Sequence, residues 1–98
     1  MDYGRAIRVI RAARGLSQQE LARKARINPS YLSLIESNKR QPSTAKVKKI
    51  ADALGVPLHL LTLFASDQDD LESLSAEEGQ LLAKKLLAIL MDAEDAAE

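Results

Sequence analysis

Apolar residues in the first two thirds of this chain recur at helical spacing, in short runs broken by small polar residues, glycine and proline. Leu21, Ala22 and Ala25 form one stripe, and Leu32 and Ile35 form the next. Ser17 and Glu20 are spaced as a capping box that starts a helix at about Gln18. Asn28 before Pro29 repeats the signal, because asparagine caps well and the fixed φ of proline suits the first helical position. Caps and breakers together predict helices near residues 4–13, 17–25, 28–37, 43–54 and 57–65, ended by Gly15, a turn at Arg26, a loop at Asn38 and Gly55, with Pro57 opening the fifth. Ile27 is expected to plug the turn between the second and third helices. Ala22 is expected to be the small residue that lets those two helices cross closely.

Beyond this block the pattern changes. Ser66–Ser73 reads SDQDDLES, acidic with a single apolar residue, and predicts a linker or exposed loop. Ser75 and Glu78 then form another capping box. From there Leu82, Leu86, Ile89, Leu90 and Ala93 line one face of a helix reaching about Ala93, and Leu81, Leu87 and Met91 widen the stripe. The closing DAEDAAE reads as a frayed acidic tail. The expected organisation is a helical domain over 1–65, an acidic linker over 66–74 and an amphipathic helix within 75–98.

The zero net charge hides a segregation. Residues 1–50 carry twelve basic side chains against three acids, a net +9, and residues 51–98 carry two lysines against eleven acids, a net −9. The basic half coincides with the paired short helices, which is the electrostatic footprint of a nucleic-acid binder. No cysteine is present, which removes disulfides, thiolate metal sites and cysteine nucleophiles. The apolar stretches near 58–65 and 86–91 are well short of the roughly 20 residues that span a bilayer. No apolar run of signal-peptide length follows Met1, so a cytoplasmic protein is expected. His59, the single histidine, lies in the apolar run LHLLTLF without an acid at ligand spacing, and Asp67, Asp69 and Asp70 read as solvated. No metal, no cofactor and no catalytic residue is expected.

Two short helices joined by a tight turn, with small polar residues on the outer face of the second, are arranged as many small proteins read DNA. The chain resembles the phage-repressor-like, or Xre-type, helix-turn-helix family in Ile7–Arg11, in LSQQELA from Leu16, in SYLSLIE from Ser30, in NKRQPS from Asn38 and in IADALGVPLHLL from Ile50. The resemblance covers roughly residues 3–64 and departs from the usual pattern at Arg26, where family members commonly have glycine. It implies an all-α fold, a five-helix lambda-repressor-like DNA-binding domain, here followed by a C-terminal helix for dimerisation.

Burying Leu32 and Ile35 turns Pro29, Ser30, Ser33, Leu34 and Ser37 outward. Ser30 and Ser33 are the expected base readers, with Pro29 beside them and Leu34 facing a thymine methyl group. Asn28 has two readings, helix cap or contact with a base or phosphate. Tyr31 is expected to pack its ring on the domain and turn its hydroxyl to a phosphate. The resemblance implies a phosphate contact at Gln18, whose bland reading is a solvated residue. Charge and resemblance together place a second clamp at Asn38, Lys39, Arg40 and Ser43. Asn38 also suits a left-handed backbone. The resemblance further implies a structural ion pair between Arg11 and Glu36. Arg5, Arg8, Arg11 and Arg14 recur every three residues, which is either a basic stripe or, more commonly, a solvated face.

The expected function is a sequence-specific double-stranded DNA-binding transcriptional regulator, a repressor acting as a homodimer on a palindromic operator. Its dimer interface is expected at Leu82, Leu86, Ile89 and Leu90, unless that helix folds back on its own domain. The same face is a candidate site for an antagonist protein. The competing reading is an antitoxin or adaptor whose main work is protein binding.

Overall fold

A computed structural model describes the backbone of residues 1–97 and the side chains of residues 1–89 and of Met91. Its regular elements are helices: α1 (Tyr3–Ala13), α2 (Gln18–Ala25), α3 (Pro29–Glu36), α4 (Thr44–Leu54), α5 (Leu58–Ala65), α6 (Gln68–Glu72) and α7 (Ala76–Ala97). The first five fall where caps and breakers place them, within a residue or so at each end.

Local chemistry explains both ends of these helices. Asp2, Ser17, Asn28 and Ser43 each accept a hydrogen bond from a backbone amide in the first turn of the helix that follows. The Ser17 hydroxyl and amide both bond Glu20 and hold its carboxyl below the ordinary carboxylate range. Because this folded-state value is depressed, the cap's contribution is present at neutral pH and is lost as acid protonates Glu20.

At the other ends, four successive helices close with one pattern. A left-handed residue, Gly15, Arg26, Asn38 or Gly55, donates back to the carbonyl three positions earlier, and its successor donates to the carbonyl five positions before itself. For α2 these bonds are Arg26 to Arg23 at 3.2 Å and Ile27 to Ala22 at 3.0 Å. The residue after the left-handed position is Leu16, Ile27 or Val56 in three of the four turns, each packed against the core. Arg26, at φ 57°, adopts this geometry without the freedom of glycine.

Ile7, Leu21, Leu32, Ile35, Ile50 and Leu61 are the largest fully buried side chains, so every one of the first five helices contributes to one core. Ala22 is completely buried and sits where α2 meets its neighbours, in keeping with its role as spacer. Gly4 is a feature that periodicity does not reveal. A Cβ at Gly4 would collide with the Ile35 carbonyl oxygen and with Asn38 Oδ1, so α1 passes the end of α3 at glycine distance.

The arginines of α1 are not the solvated face that their spacing predicts most simply. Arg5 donates to the carbonyl of Phe64 at 3.2 Å, Arg8 to that of Glu36 at 2.7 Å and Arg14 to that of Gly55 at 3.1 Å. These carbonyls lie at the C-terminal ends of α5, α3 and α4, where the helix dipole concentrates negative charge. The side chains remain exposed, yet each ties α1 to the tail of another helix.

The segment expected to be a linker also differs. Asp67 and Asp70 cap each other reciprocally, which organises Gln68–Glu72 as the single-turn helix α6. Aspartate at both box positions, where Ser/Thr with Glu/Gln is the usual pair, conceals the signal. α7 begins at a Ser75 cap and touches α5. Leu82, Leu86 and Ile89 are half-buried, while Leu81, Leu87 and Met91 are 57%, 59% and 53% exposed. Leu90, the fourth residue of the expected dimer stripe, lies outside the described side chains, as do residues 92–98.

Two substitutions probe these turns. Arg26→Gly should relieve left-handed backbone and raise the melting temperature by a few degrees, in line with about 0.5–1 kcal/mol. Gly4→Ala should lower it, by about 1–3 kcal/mol of overpacking. Thermal unfolding followed by circular dichroism reads both; a lower melting temperature for Arg26→Gly, or an unchanged one for Gly4→Ala, would contradict this geometry.

Candidate nucleic-acid interface

α3 owes its position to what it buries. Leu32 and Ile35 are fully enclosed and Glu36 is 2% exposed, which fixes the opposite edge of the helix toward solvent. Pro29, Ser30, Ser33 and Leu34 are exposed there, and Leu34 is 38% exposed although it is an aliphatic residue on a polar edge. Asn28 is exposed at the N-cap, where its Oδ1 accepts from the Ser30 amide at 2.7 Å. The capping reading is therefore the one this geometry favours. Ser37, just beyond α3, turns its hydroxyl back onto the Ser33 and Leu34 carbonyls.

Glu36 anchors the inner side. Arg11 Nε donates to Glu36 Oε2 and Arg11 Nη2 to Oε1, both at 2.9 Å, and Arg11 Nη1 reaches the Leu16 carbonyl at 2.8 Å. This two-pronged pair joins α1, the turn before α2 and the end of α3. Gln18, half-buried at the first position of α2, donates from Nε2 to Glu36 Oε1 at 3.1 Å. Neither the link to Gln18 nor the Arg8 bond to the Glu36 carbonyl is signalled by spacing, because both join residues far apart in the chain.

On the other flank, Tyr31 packs its half-buried ring against the core while the Arg40 guanidinium lies 5.3 Å and the Lys46 ammonium 5.9 Å from the ring centre. The ring thus gathers two cations beside the recognition edge. Lys46 is absent from the sequence-predicted set. Ser43 caps α4 through the Lys46 amide at 3.2 Å, so cap and cation share one turn. Asn38 takes left-handed φ 61°, and Lys39 and Arg40 are exposed. Here the helix-ending turn at Asn38 departs from the other three: the position that holds Leu16, Ile27 or Val56 elsewhere holds Lys39, a charge where the other turns pack an apolar group. Asp2 lies nearby, its carboxyl lowered first by the hydrogen bond from the Arg5 amide and also by Asn38.

The arrangement is an exposed edge of small hydroxyls and one leucine, flanked by cations and by the opening turns of α2 and α4. It has the shape and charge to enter the major groove of duplex DNA. A helix-turn-helix family profile matches residues 7–61, more than half of the chain. The chain belongs to the Xre-type helix-turn-helix family. It is 34% identical over 98 residues to the immunity repressor protein of Bacillus phage phi105, and the match covers 96% of this chain and 66% of the repressor. It is 38% identical over 95 residues to the HTH-type transcriptional regulator RamB of Mycobacterium tuberculosis, covering 97% of this chain and 19% of RamB. The chain thus spans less than two thirds of either relative. A chain of the SinR protein–SinI protein complex superposes with a TM-score of 0.62 at 31% identity, covering 99% of this chain and 97% of that one. The lambda-repressor-like all-α fold expected from the sequence is therefore established. Relatives of this Xre-type domain are named as transcriptional regulators, not enzymes. Among the described residues no cluster of three metal-ligating side chains occurs, and no helix is long and apolar enough to cross a membrane.

Tyr31 gives this interface a direct test. Tyr31→Phe keeps a ring under Arg40 and Lys46, whereas Tyr31→Leu releases them. In titrations of a fluorescent duplex, Tyr31→Leu should bind weaker than Tyr31→Phe by about two- to fivefold, from the ~0.5–1 kcal/mol of an exposed cation–ring contact. Equal affinities would show that the ring does not organise the cations.

Proposed function

We propose that this Xre-type protein is a sequence-specific regulator acting on double-stranded DNA in the cytoplasm, a repressor that occupies a palindromic operator as a homodimer. The observation that carries this reading is the exposed edge Pro29, Ser30, Ser33 and Leu34, set between phosphate-binding groups on both sides. Ser30 and Ser33 meet base edges, Leu34 meets a thymine methyl group, and Asn28 holds the helix end against the duplex. Gln18 at the start of α2 grips one strand; Tyr31, Asn38, Lys39, Arg40 and Ser43 grip the other side, joined by Lys46. Repression needs only occupancy of the operator, and the relation to a phage immunity repressor supports it.

Serines alone discriminate bases weakly, so useful affinity calls for two copies. In this reading the domain over 1–65 reads DNA and α7 brings two copies together, with recognition helices about one DNA turn (~34 Å) apart. In the single chain Leu82, Leu86 and Ile89 of this interface are half-buried, while Leu87 and Met91, roughly 100° or more around the helix from them, are exposed. Association with an antagonist protein through α7 is a second use of that face, favoured by the whole-chain likeness to a structure of SinR protein in complex with SinI protein.

Selection of bound sequences from random duplex DNA tests the function. A palindrome with half-sites about one turn apart is expected, with affinity that falls steeply as salt rises; no enriched sequence and salt-insensitive binding would overturn the reading. For the dimer through Leu82, Leu86, Ile89 and Leu90, Leu86→Gln combined with Leu90→Gln should leave a folded monomer in sedimentation velocity with weakened operator binding. A sedimentation profile identical to that of the parent dimer would exclude α7 as the interface.

A further inference from the structure

We propose that Glu36 is a positioning residue for DNA binding: beyond its pairing with Arg11, its buried carboxylate fixes the Gln18 side chain so that one amide N–H is aimed at a phosphate before the duplex arrives. The inference rests on the reading of Gln18 as a phosphate contact and adds what holds it ready.

Glu36 Oε1 accepts from both Arg11 Nη2 and Gln18 Nε2, at 2.9 and 3.1 Å. A carboxylate is an acceptor only, so the Gln18 amide must present nitrogen to it; the flipped amide would set oxygen against oxygen with no proton between. The remaining N–H of that amide is free. Gln18 and Ser33 line the same open notch of ≈ 220 Å³, with Arg8, Arg11, Glu36 and Ser37 around it. A phosphate held by Gln18 therefore flanks the base pair that Ser33 faces. A free glutamine loses rotamer freedom when it binds, whereas one already tethered to Glu36 has lost it on folding. The tether also links recognition to architecture, since the carboxylate that aims Gln18 is the one that docks α3 on α1.

The same link constrains substitution. In Glu36→Met both oxygens are gone, so Gln18 loses its acceptor outright; Glu36→Gln would not serve, because with its amino group at the Oε2 position it could still accept from Gln18. Arg11→Lys, in contrast, leaves the Glu36 carboxylate and its bond to Gln18 available.

The test is phosphate-ethylation interference on a selected duplex, with the full chain as parent, Gln18→Ala, Glu36→Met and Arg11→Lys, each confirmed folded by circular dichroism at the temperature used. Gln18→Ala should abolish interference at one phosphate per half-site and weaken binding roughly fivefold, the effect of one hydrogen bond of ~1 kcal/mol. Glu36→Met should erase interference at that same phosphate, while Arg11→Lys should preserve it even if overall affinity falls. Retention of that phosphate in Glu36→Met, or its loss from both ion-pair variants alike, would overturn the proposal. Should either variant not fold, the parent protein without DNA gives an independent reading. The Gln18 side-chain amide should show a ¹⁵N–¹H heteronuclear NOE near backbone values, far above that of exposed Gln19; equal values for the two would also overturn it. Because the second measurement uses no DNA, it separates failure of this link from failure of the proposed function.

Discussion

A carboxylate with 2% exposure sits at the C-terminal end of the recognition helix, the end where the helix dipole already places negative charge. Left alone, Glu36 would be costly both by burial and by position. Arg11 offsets both through a two-pronged contact, and α3 can take its observed place only with α1 packed against it. The docking is reinforced by Arg8 on the Glu36 carbonyl and made sterically feasible by Gly4, where α1 comes too near the end of α3 for a side chain. With the inner edge of α3 held in this way, the edge bearing Ser30, Ser33 and Leu34 has no alternative but to face outward.

The same helix that grips α3 also grips α4 and α5, through Arg14 and Arg5. α1 thus serves as a spine whose basic residues satisfy the carbonyl tails of three other helices. This accounts for part of the charge segregation in the chain without reference to DNA: some of the basic half is internal fastening. Of the other basic residues in that half, Lys39, Arg40 and Lys46 flank α3. The substitution of Lys39 for the apolar residue that closes the other three turns marks the place where the fold gives up a packing contact in favour of exposed charge.

Much of this was legible in the chain because it is local. Caps at Ser17, Asn28 and Ser43 and left-handed exits at Gly15, Arg26, Asn38 and Gly55 act within a few residues of themselves, so sequence reading located the first five helices and the outward edge of α3. Arg11 and Glu36 were paired through family resemblance, not through spacing. What escaped depends on partners distant in the chain: the carbonyls met by Arg5, Arg8 and Arg14, the gathering of Arg40 and Lys46 around Tyr31, the close approach at Gly4 and the bond between Gln18 and Glu36. α6 escaped for another reason, since two aspartates served as a capping box in a stretch whose composition reads as loop. Leu82, Leu86 and Ile89 are half-buried on a helix that touches α5, an arrangement that an amphipathic pattern alone cannot distinguish from a dimer seam.

The central claim is that the Arg11–Glu36 pair holds the recognition helix in place, and a double-mutant cycle measures that coupling most directly. Urea unfolding of the parent, Arg11→Met, Glu36→Met and the double variant should show each single change costing about 3–5 kcal/mol, because each strands a buried charge, with the double variant costing clearly less than the two together. Strictly additive losses, or single variants as stable as the parent, would contradict the account.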